Sequence, residues 1–284
     1  MRPYRSVLYM PGSNLRALDK ARSLPADALI LDLEDAVAPD AKAEARAQVC
    51  AAVGQGGYGP RVLLIRINGP DTPWGAEDLE AASAARPDAI LVPKVSHPSD
   101  LGPIQQALGQ EKGTTIWAMI ETPAGVLNAH QIAQAEGMEG FVLGTNDLLK
   151  DIGARSKADR LPLQTALGTT LLAARAAGLV CVDGVYNAFK DDHGLRMECE
   201  QGRDMGFDGK TLIHPAQLEV ANAVFAPDPE ALALARRQVD AFEAALAAVA
   251  GVAVLDGRIV ENLHVETARQ TLAKAEAIAK MAQD

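Results

Sequence analysis

Several runs of apolar residues in this chain end on groups that can do chemistry. Glu121 follows the run 115–120, and Asp147 follows the run that closes at Gly144. Arg66 lies at the end of the run 62–67, and Asp32, Glu34 and Asp35 come at the end of the run 28–33. If 115–120 is a strand, Trp117, Met119 and Glu121 share a face, because side chains alternate. Glu121 then sets a charge at the edge of a buried face, where it needs a partner or a metal ion. No histidine or cysteine accompanies Glu121 and Asp147. Two carboxylates in oxygen-only company favour a hard cation, Mg²⁺ before Mn²⁺, with water and ligand filling its other positions. Asp32, Glu34 and Asp35 suit a supporting role, holding metal-bound waters. Their alternative is a helix N-terminus or an ion pair with Arg66. Arg66 offers a planar fork for a carboxylate ligand, and it can also neutralise these acids. Lys94 has the chemistry of a Schiff-base lysine, but a metal site would already supply an electron sink.

Eight strand-like runs can position these groups: 6–10, 28–33, 62–67, 89–95, 115–120, 140–144, 179–182 and 211–213. Most are apolar throughout, as parallel strands covered on both faces are. Helix-forming segments alternate with them, at 14–23 (with Ser13 as its cap), 40–53, 76–85, 163–177 and 194–205; the last two stop at Gly178 and Gly206. Such alternation predicts a parallel sheet. Eight units fit a (β/α)₈ TIM barrel, typically ~250 residues. A doubly wound open sheet is the other architecture, but no Gly-x-Gly-x-x-Gly follows the first run. In a barrel the site lies at the C-terminal strand ends. There stand Asp32 to Asp35, Arg66, Lys94, Glu121, Asp147, Asp183 and His214, so seven of eight runs finish on an ionisable group. Alternation groups Val62, Leu64 and Arg66 on one face, and Ile90, Val92 and Lys94 on another.

The barrel is expected over residues 1–215 and a C-terminal extension over 216–284, serving as a lid or an oligomer contact. In the extension Asp228 and Pro229 open a long helix with an apolar stripe at Leu232, Ala235, Val239, Phe242, Leu246 and Val249. A hairpin follows, 251–255 and 258–260, turning on Asp256-Gly257. A last helix spans 264–281.

The totals exclude several classes. With 284 residues, 48% hydrophobic and 23% charged, the composition is that of a globular protein. Aromatics at 4% leave few stacking platforms for single-stranded nucleic acid. A net charge of −10 without a basic tract argues against nucleic acid and anionic membranes as partners. The three scattered cysteines read as reduced thiols, and no run approaches a membrane span, so a cytoplasmic protein is expected.

Several motifs together resemble the citrate lyase beta subunit family, which also holds malyl-CoA and related lyases. They are Arg5-Ser6-Val7-Leu8-Tyr9-Met10-Pro11-Gly12, Leu31-Asp32-Leu33-Glu34-Asp35, Ile65-Arg66-Ile67-Asn68, Ile120-Glu121-Thr122, Gly144-Thr145-Asn146-Asp147-Leu148, and Gly206-Phe207-Asp208-Gly209-Lys210 before Ile213-His214-Pro215. The resemblance covers nearly the whole chain. It implies a (β/α)₈ barrel, a homo-oligomer (a trimer or hexamer), Mg²⁺ on Glu121 and Asp147, and an oxo-acid carboxylate on Arg66. It implies reversible carbon–carbon cleavage beside a thioester: a citryl-CoA or citryl-carrier-protein lyase giving oxaloacetate and an acetyl thioester. Malyl-CoA lyase with glyoxylate, a malate-synthase-like condensation and (3S)-malyl-CoA thioesterase are the alternatives on the same machinery. Glu34 and Asp35 are expected beside the catalytic set, and Asn68 beside Arg66 in substrate binding. Arg5, Arg16 and Lys20 are expected to meet the phosphates of CoA or of a carrier arm. The family's lyases can draw an acid from a neighbouring subunit's extension; here that motif reads Gly257-Arg258-Ile259-Val260-Glu261, with Glu261 where Asp is usual.

Overall fold

The computed structural model describes residues 2–109, 113–247 and 252–281. Its backbone divides into two compact units, residues 4–223 and residues 224–284 with 1–3.

The larger unit is a closed barrel of eight parallel strands in sequential order. The strands are β1 (Ser6–Pro11), β2 (Ala28–Asp32), β3 (Val62–Arg66), β4 (Ala89–Val92), β5 (Thr115–Ile120), β6 (Met138–Leu143), β7 (Val180–Asp183) and β8 (Gly209–Leu212). The helices are α1 (Leu15–Ala21), α2 (Lys42–Gln55), α3 (Gly75–Ala85), α4 (Gly102–Leu108), α5 (Pro123–Leu127), α6 (Ala129–Ala133), α7 (Thr145–Asp151), α8 (Gln164–Ala176), α9 (Asp192–Met205) and α10 (Leu218–Phe225). The TIM-barrel expectation is met, and each expected strand overlaps an observed one, with ends within three residues. Closure leaves no open edge, so every strand backbone finds a partner.

Period-two alternation decides which side chains fill the barrel. Val7, Ile30, Leu64, Leu91, Trp117, Met119, Val142 and Val182 pack in one interior cluster, with Tyr9 against it. Trp117 is fully buried and meets the Tyr4 ring at 5.3 Å between centroids. Gly140 opposite has no side chain for a reason: a Cβ there would lie 2.7 Å from the indole. The residues facing outward on the same strands are buried by the helices, and this accounts for the unbroken apolar runs.

Two local readings are corrected. Asn14, not Ser13, caps α1, its side-chain oxygen accepting from the Ala17 N–H at 3.1 Å. On β4 the inward residues are Ala89 and Leu91, so Ile90 and Val92 face the helices. Lys94 lies past the strand in a left-handed conformation, with φ of 53°.

Asp183 is also not part of the mouth. It is fully buried and faces the helical layer. Arg160 Nη1 donates to both its oxygens at 2.7 and 2.8 Å, and Lys210 Nζ donates to it at 2.9 Å and to Glu198 at 2.6 Å. The two cations hold the Asp183 carboxyl below its ordinary range against the opposing effect of burial.

The smaller unit holds α11 (Pro229–Ala247), the antiparallel pair β9 (Ala253–Leu255) and β10 (Arg258–Val260), and α12 (Asn262–Met281). Asp228 caps α11 at 2.7 Å, as expected. Asp256 and Gly257 both have positive φ, 50° and 74°, the geometry of a tight primed turn. Val239, Phe242 and Ala245 pack with Leu255, Val260 and Val265. The stripe therefore passes through Ala245, and Leu246 is exposed at 62%. Val249 and Gly251 lie outside the described residues.

The Asp183 cluster gives the first prediction. Lys210→Met strands buried carboxylate charge, so unfolding stability falls by about 3–5 kcal/mol, read from urea denaturation. A loss within about 0.5 kcal/mol, the range of an ordinary surface substitution, would show that Lys210 contributes nothing net.

Candidate active site

The site is built around Arg66 at the end of β3. Its Nε and Nη2 donate to the two oxygens of Asp32, on the neighbouring strand, at 2.7 and 2.6 Å. This two-pronged pair is buried on both sides. The guanidinium lies over the Tyr9 ring, 4.8 Å from its centroid. Arg66 Nη1 remains. It approaches Glu34 Oε2 at 2.9 Å, stands 3.8 Å from Asp35, and donates to the Met119 sulfur at 3.6 Å. The open fork expected of Arg66 is therefore half used by Asp32, and one nitrogen faces the ligand space.

Glu121 follows β5 and is almost fully buried. One carboxylate oxygen accepts the Lys94 backbone N–H at 2.8 Å. The left-handed turn at Lys94, uncommon for a non-glycine residue, aims that N–H at the carboxylate. Gly144 has no Cβ because one would strike the Glu121 side chain. Asp147 is not on a strand as expected; it sits in the first turn of α7, where the helix dipole favours a negative charge. A cavity of ≈ 420 Å³ joins these groups, walled by Tyr9, Asp32, Asp35, Arg66, Met119, Glu121, Thr145 and Asp147 among others. A larger hollow of ≈ 970 Å³ at the opposite barrel end, beside Asp88 and Thr114, gathers no comparable set of reactive groups.

Other expected members lie elsewhere. Arg5 is at the wrong end of the barrel, its Nε and Nη2 on Asp27 at 2.9 and 2.7 Å, so it cannot meet a ligand at the mouth. Asn68 is buried and its amide is spent internally: it donates to the Leu33 carbonyl at 2.9 Å and to Asp78 at 2.5 Å, and accepts from Lys42. Asn68 thus holds the loop after β2 instead of a ligand. Arg16 and Lys20 are exposed on α1, and Glu261 is exposed at the start of the smaller unit's last helix. His214 is a cap, accepting from the Ala216 N–H at 3.1 Å and stacking on Phe189. Sequence reasoning missed Tyr9 and Lys42. The inward parity of Val7 and Tyr9 on β1 was a usable signal for the first. Lys42 lies on the first turn of a helix, and nothing in its spacing tells of its buried ammonium, which donates to Leu33 O, Glu34 O and Asn68 Oδ1 at 2.7–2.8 Å.

The electrostatics ask for more positive charge. Asp32, Glu34, Asp35, Glu121 and Asp147 stand against Arg66 and Lys94. Burial, with Asp35 and Asp32 adding to it, raises the Glu34 carboxyl to about 7 despite Arg66. Burial, with Glu34 and Asp147 adding to it, raises Glu121 to about 8. Glu34 Oε2 is buried yet accepts no aligned hydrogen bond, close as Arg66 is. Among the described residues no three histidine, cysteine or acidic side chains form a ready-made metal cage. Two carboxylates with room for water and ligand are the donor set of a hard divalent cation. The residues fit such an ion.

The fold and this mouth define a class: a (β/α)₈ barrel with an arginine and several carboxylates gathered at one end. Comparison with known proteins narrows it. Residues 5–215 match the family model described as HpcH/HpaI aldolase/citrate lyase. A (3S)-malyl-CoA thioesterase of Cereibacter sphaeroides is 60% identical over 277 residues, 98% of this chain and 96% of that protein. Citrate lyase subunit beta of Escherichia coli is 35% identical over 284 residues, 97% of this chain and 94% of its own. Among solved structures, protein CitE from Mycobacterium tuberculosis in complex with magnesium, acetoacetate and coenzyme A aligns with a TM-score of 0.79 at 29% identity, covering 97% of this chain and 100% of that one. The chain belongs to the HpcH/HpaI aldolase/citrate lyase family of enzymes.

The raised carboxyls predict a pH dependence. Glu34 and Glu121 hold protons more tightly folded than unfolded. In EDTA, stability therefore falls as pH rises from about 4.5 towards about 8. Glu121→Gln should flatten that fall when melting temperatures at pH 5 and pH 8 are compared. A variant with the wild-type slope would remove Glu121 as its source.

Proposed function

We propose that the chain hydrolyses a short 3-hydroxyacyl thioester bearing a free carboxylate, malyl-CoA before citryl-CoA, with Mg²⁺ as its cofactor. The observation that carries this is the 60% end-to-end identity to a (3S)-malyl-CoA thioesterase, against 35% to citrate lyase subunit beta. The citryl lyase preferred from the motifs thus yields to its stated alternative.

Glu121 and Asp147 would hold the ion, through one carboxylate pinned by the Lys94 N–H and another on a helix N-terminal turn. When bound, Mg²⁺ would supply positive charge where the ligand's oxygens gather. The rest is the chain's own chemistry. Arg66 Nη1 takes the free carboxylate and fixes the acyl chain in the cavity. In the hydrolytic step a water oxygen bonds to the thioester carbon, the carbon–sulfur bond breaks, and malate and CoA leave. Glu34, with a proton affinity near neutrality, is the general base we assign to the water. Its proton passes on to the departing CoA sulfur. Carbon–carbon cleavage would instead need an acid to protonate the acetyl carbon, and the usual family Asp is Glu261 here. The same reading keeps the C-terminal unit as a lid or a contact in a homo-oligomer, with Arg16 and Lys20 as partners for CoA phosphates.

The test is direct. Purified chain with Mg²⁺ and malyl-CoA should release CoA and malate in equal amounts, without glyoxylate. Glyoxylate and acetyl-CoA in equal amounts would overturn hydrolysis in favour of cleavage. EDTA should abolish turnover and Mg²⁺ restore it. Glu121→Ala should lower kcat by about 10²–10³-fold in a protein with an unchanged circular dichroism spectrum.

A further inference from the structure

We propose that Tyr9 is a specificity-determining residue: its hydroxyl and Arg66 Nη1 together grip the free carboxylate of the ligand, at the point marked by the Met119 sulfur. This deepens the functional reading above and rests on the thioester carrying that carboxylate.

The inference starts from two donors that share a poor acceptor. Tyr9 Oη donates to Met119 Sδ at 3.7 Å, and Arg66 Nη1 donates to the same sulfur at 3.6 Å. A thioether accepts only weakly. All three side chains wall the ≈ 420 Å³ cavity. Arg66 Nη1 also stands 2.9 Å from Glu34 Oε2, but without an aligned hydrogen bond. Its N–H towards the sulfur and the Tyr9 hydroxyl are thus two strong donors left on a weak acceptor at a cavity wall, arranged for an oxygen of the ligand.

Stoichiometry points the same way. A carboxylate bound by a free arginine fork takes two parallel N–H donors. Here Asp32 occupies Nε and Nη2, so Arg66 can give the ligand only Nη1. A second donor must come from elsewhere, and the Tyr9 hydroxyl is the neutral donor beside it. The two groups are also locked together, since the guanidinium lies 4.8 Å from the centre of the Tyr9 ring. A shift of either would disturb the other. Burial, with Asp32, Glu121 and Glu34 adding to it, pushes the phenol's proton affinity up, so the hydroxyl stays a donor through the neutral range.

A purely structural Tyr9 makes a different forecast. The ring packs against the interior cluster beneath the mouth. Phenylalanine would fill that space equally well and keep the cation–π contact. Tyr9→Phe therefore separates the two roles without a cavity and without a charge change.

The experiment compares malyl-CoA with 3-hydroxybutyryl-CoA, which has a methyl group in place of the carboxylate. In Tyr9→Phe the ratio of kcat/KM for the two should fall about tenfold to hundredfold. The change should appear as a raised KM for malyl-CoA with kcat within about threefold, the sign of lost ground-state binding. An unchanged ratio overturns the proposal. So does an equal loss of kcat on both thioesters, which would place the hydroxyl at the thioester carbonyl. A second arm measures malate binding by calorimetry with Mg²⁺ present, and expects the variant to bind about tenfold more weakly. If the wild type turns over neither thioester, the functional reading fails while this arm still decides the role of Tyr9. Equal malate affinities in the two proteins, or no malate binding by the wild type, overturn the proposal.

Discussion

The buried pair between Arg66 and Asp32 governs the rest of the mouth. Removing two charges from water costs several kcal/mol for each ion, recovered only with good geometry. The geometry here is good: two parallel bonds at 2.6 and 2.7 Å, with an aromatic face against the cation. The pair is neutral, and that has a consequence. One guanidinium, already paired with Asp32 and 2.9 Å from Glu34, cannot also balance Glu121 and Asp147. Burial first, and the neighbouring carboxylates after it, make Glu34 and Glu121 hold their protons to unusually high pH. A site with this shortfall suits a divalent cation among its oxygen donors.

Much of the surrounding structure exists to keep the pair and its neighbours in place. Lys42 spends all three ammonium protons on Leu33 O, Glu34 O and Asn68 Oδ1. Asn68 passes the restraint to Asp78, and Asp78 to Arg46 at 2.7 Å. The loop that presents Glu34 and Asp35 is therefore clamped from beneath by charged and polar groups, none of which need touch a ligand. On the other side Gly144 gives Glu121 room, and Lys94 bends its own backbone to cap it. Support of this kind is what keeps a cluster of buried charges in one geometry.

The barrel was legible because its signals are local and repeated. Eight apolar runs alternating with helix-forming segments leave few alternatives. That Arg66 and Glu121 meet at one cavity was legible because a strand end is where a buried face meets the mouth, whereas Asp147 reaches it from the first turn of α7. What failed was the assumption that every charged strand end points the same way. Asp183 obeys the alternation on β7, yet that alternation turns it outward to Arg160 and Lys210, one of them 27 residues further along the chain. Lys94 lies beyond its strand, where period two no longer applies. Arg5 carries the right charge at the N-terminal strand end. Lys42 looks like any helix surface lysine until the loop after β2 folds over it. Each miss depends on a long-range contact that local spacing does not encode.

On the proposed reading cleavage and hydrolysis would share one mouth, with Arg66 to take the carboxylate and Glu121 and Asp147 as the residues that would hold the cation. They part at the second centre. Cleavage places charge on the acetyl unit and then needs a proton delivered to carbon. Hydrolysis needs water at the thioester carbon and a base near neutral proton affinity. The groups around Arg66 serve the second need better. Glu34 is a buried carboxyl whose Oε2 stands 2.9 Å from Arg66 Nη1 without an aligned hydrogen bond, and its affinity is near 7. It can take a proton from water at neutral pH and give it up again without a large penalty in either direction.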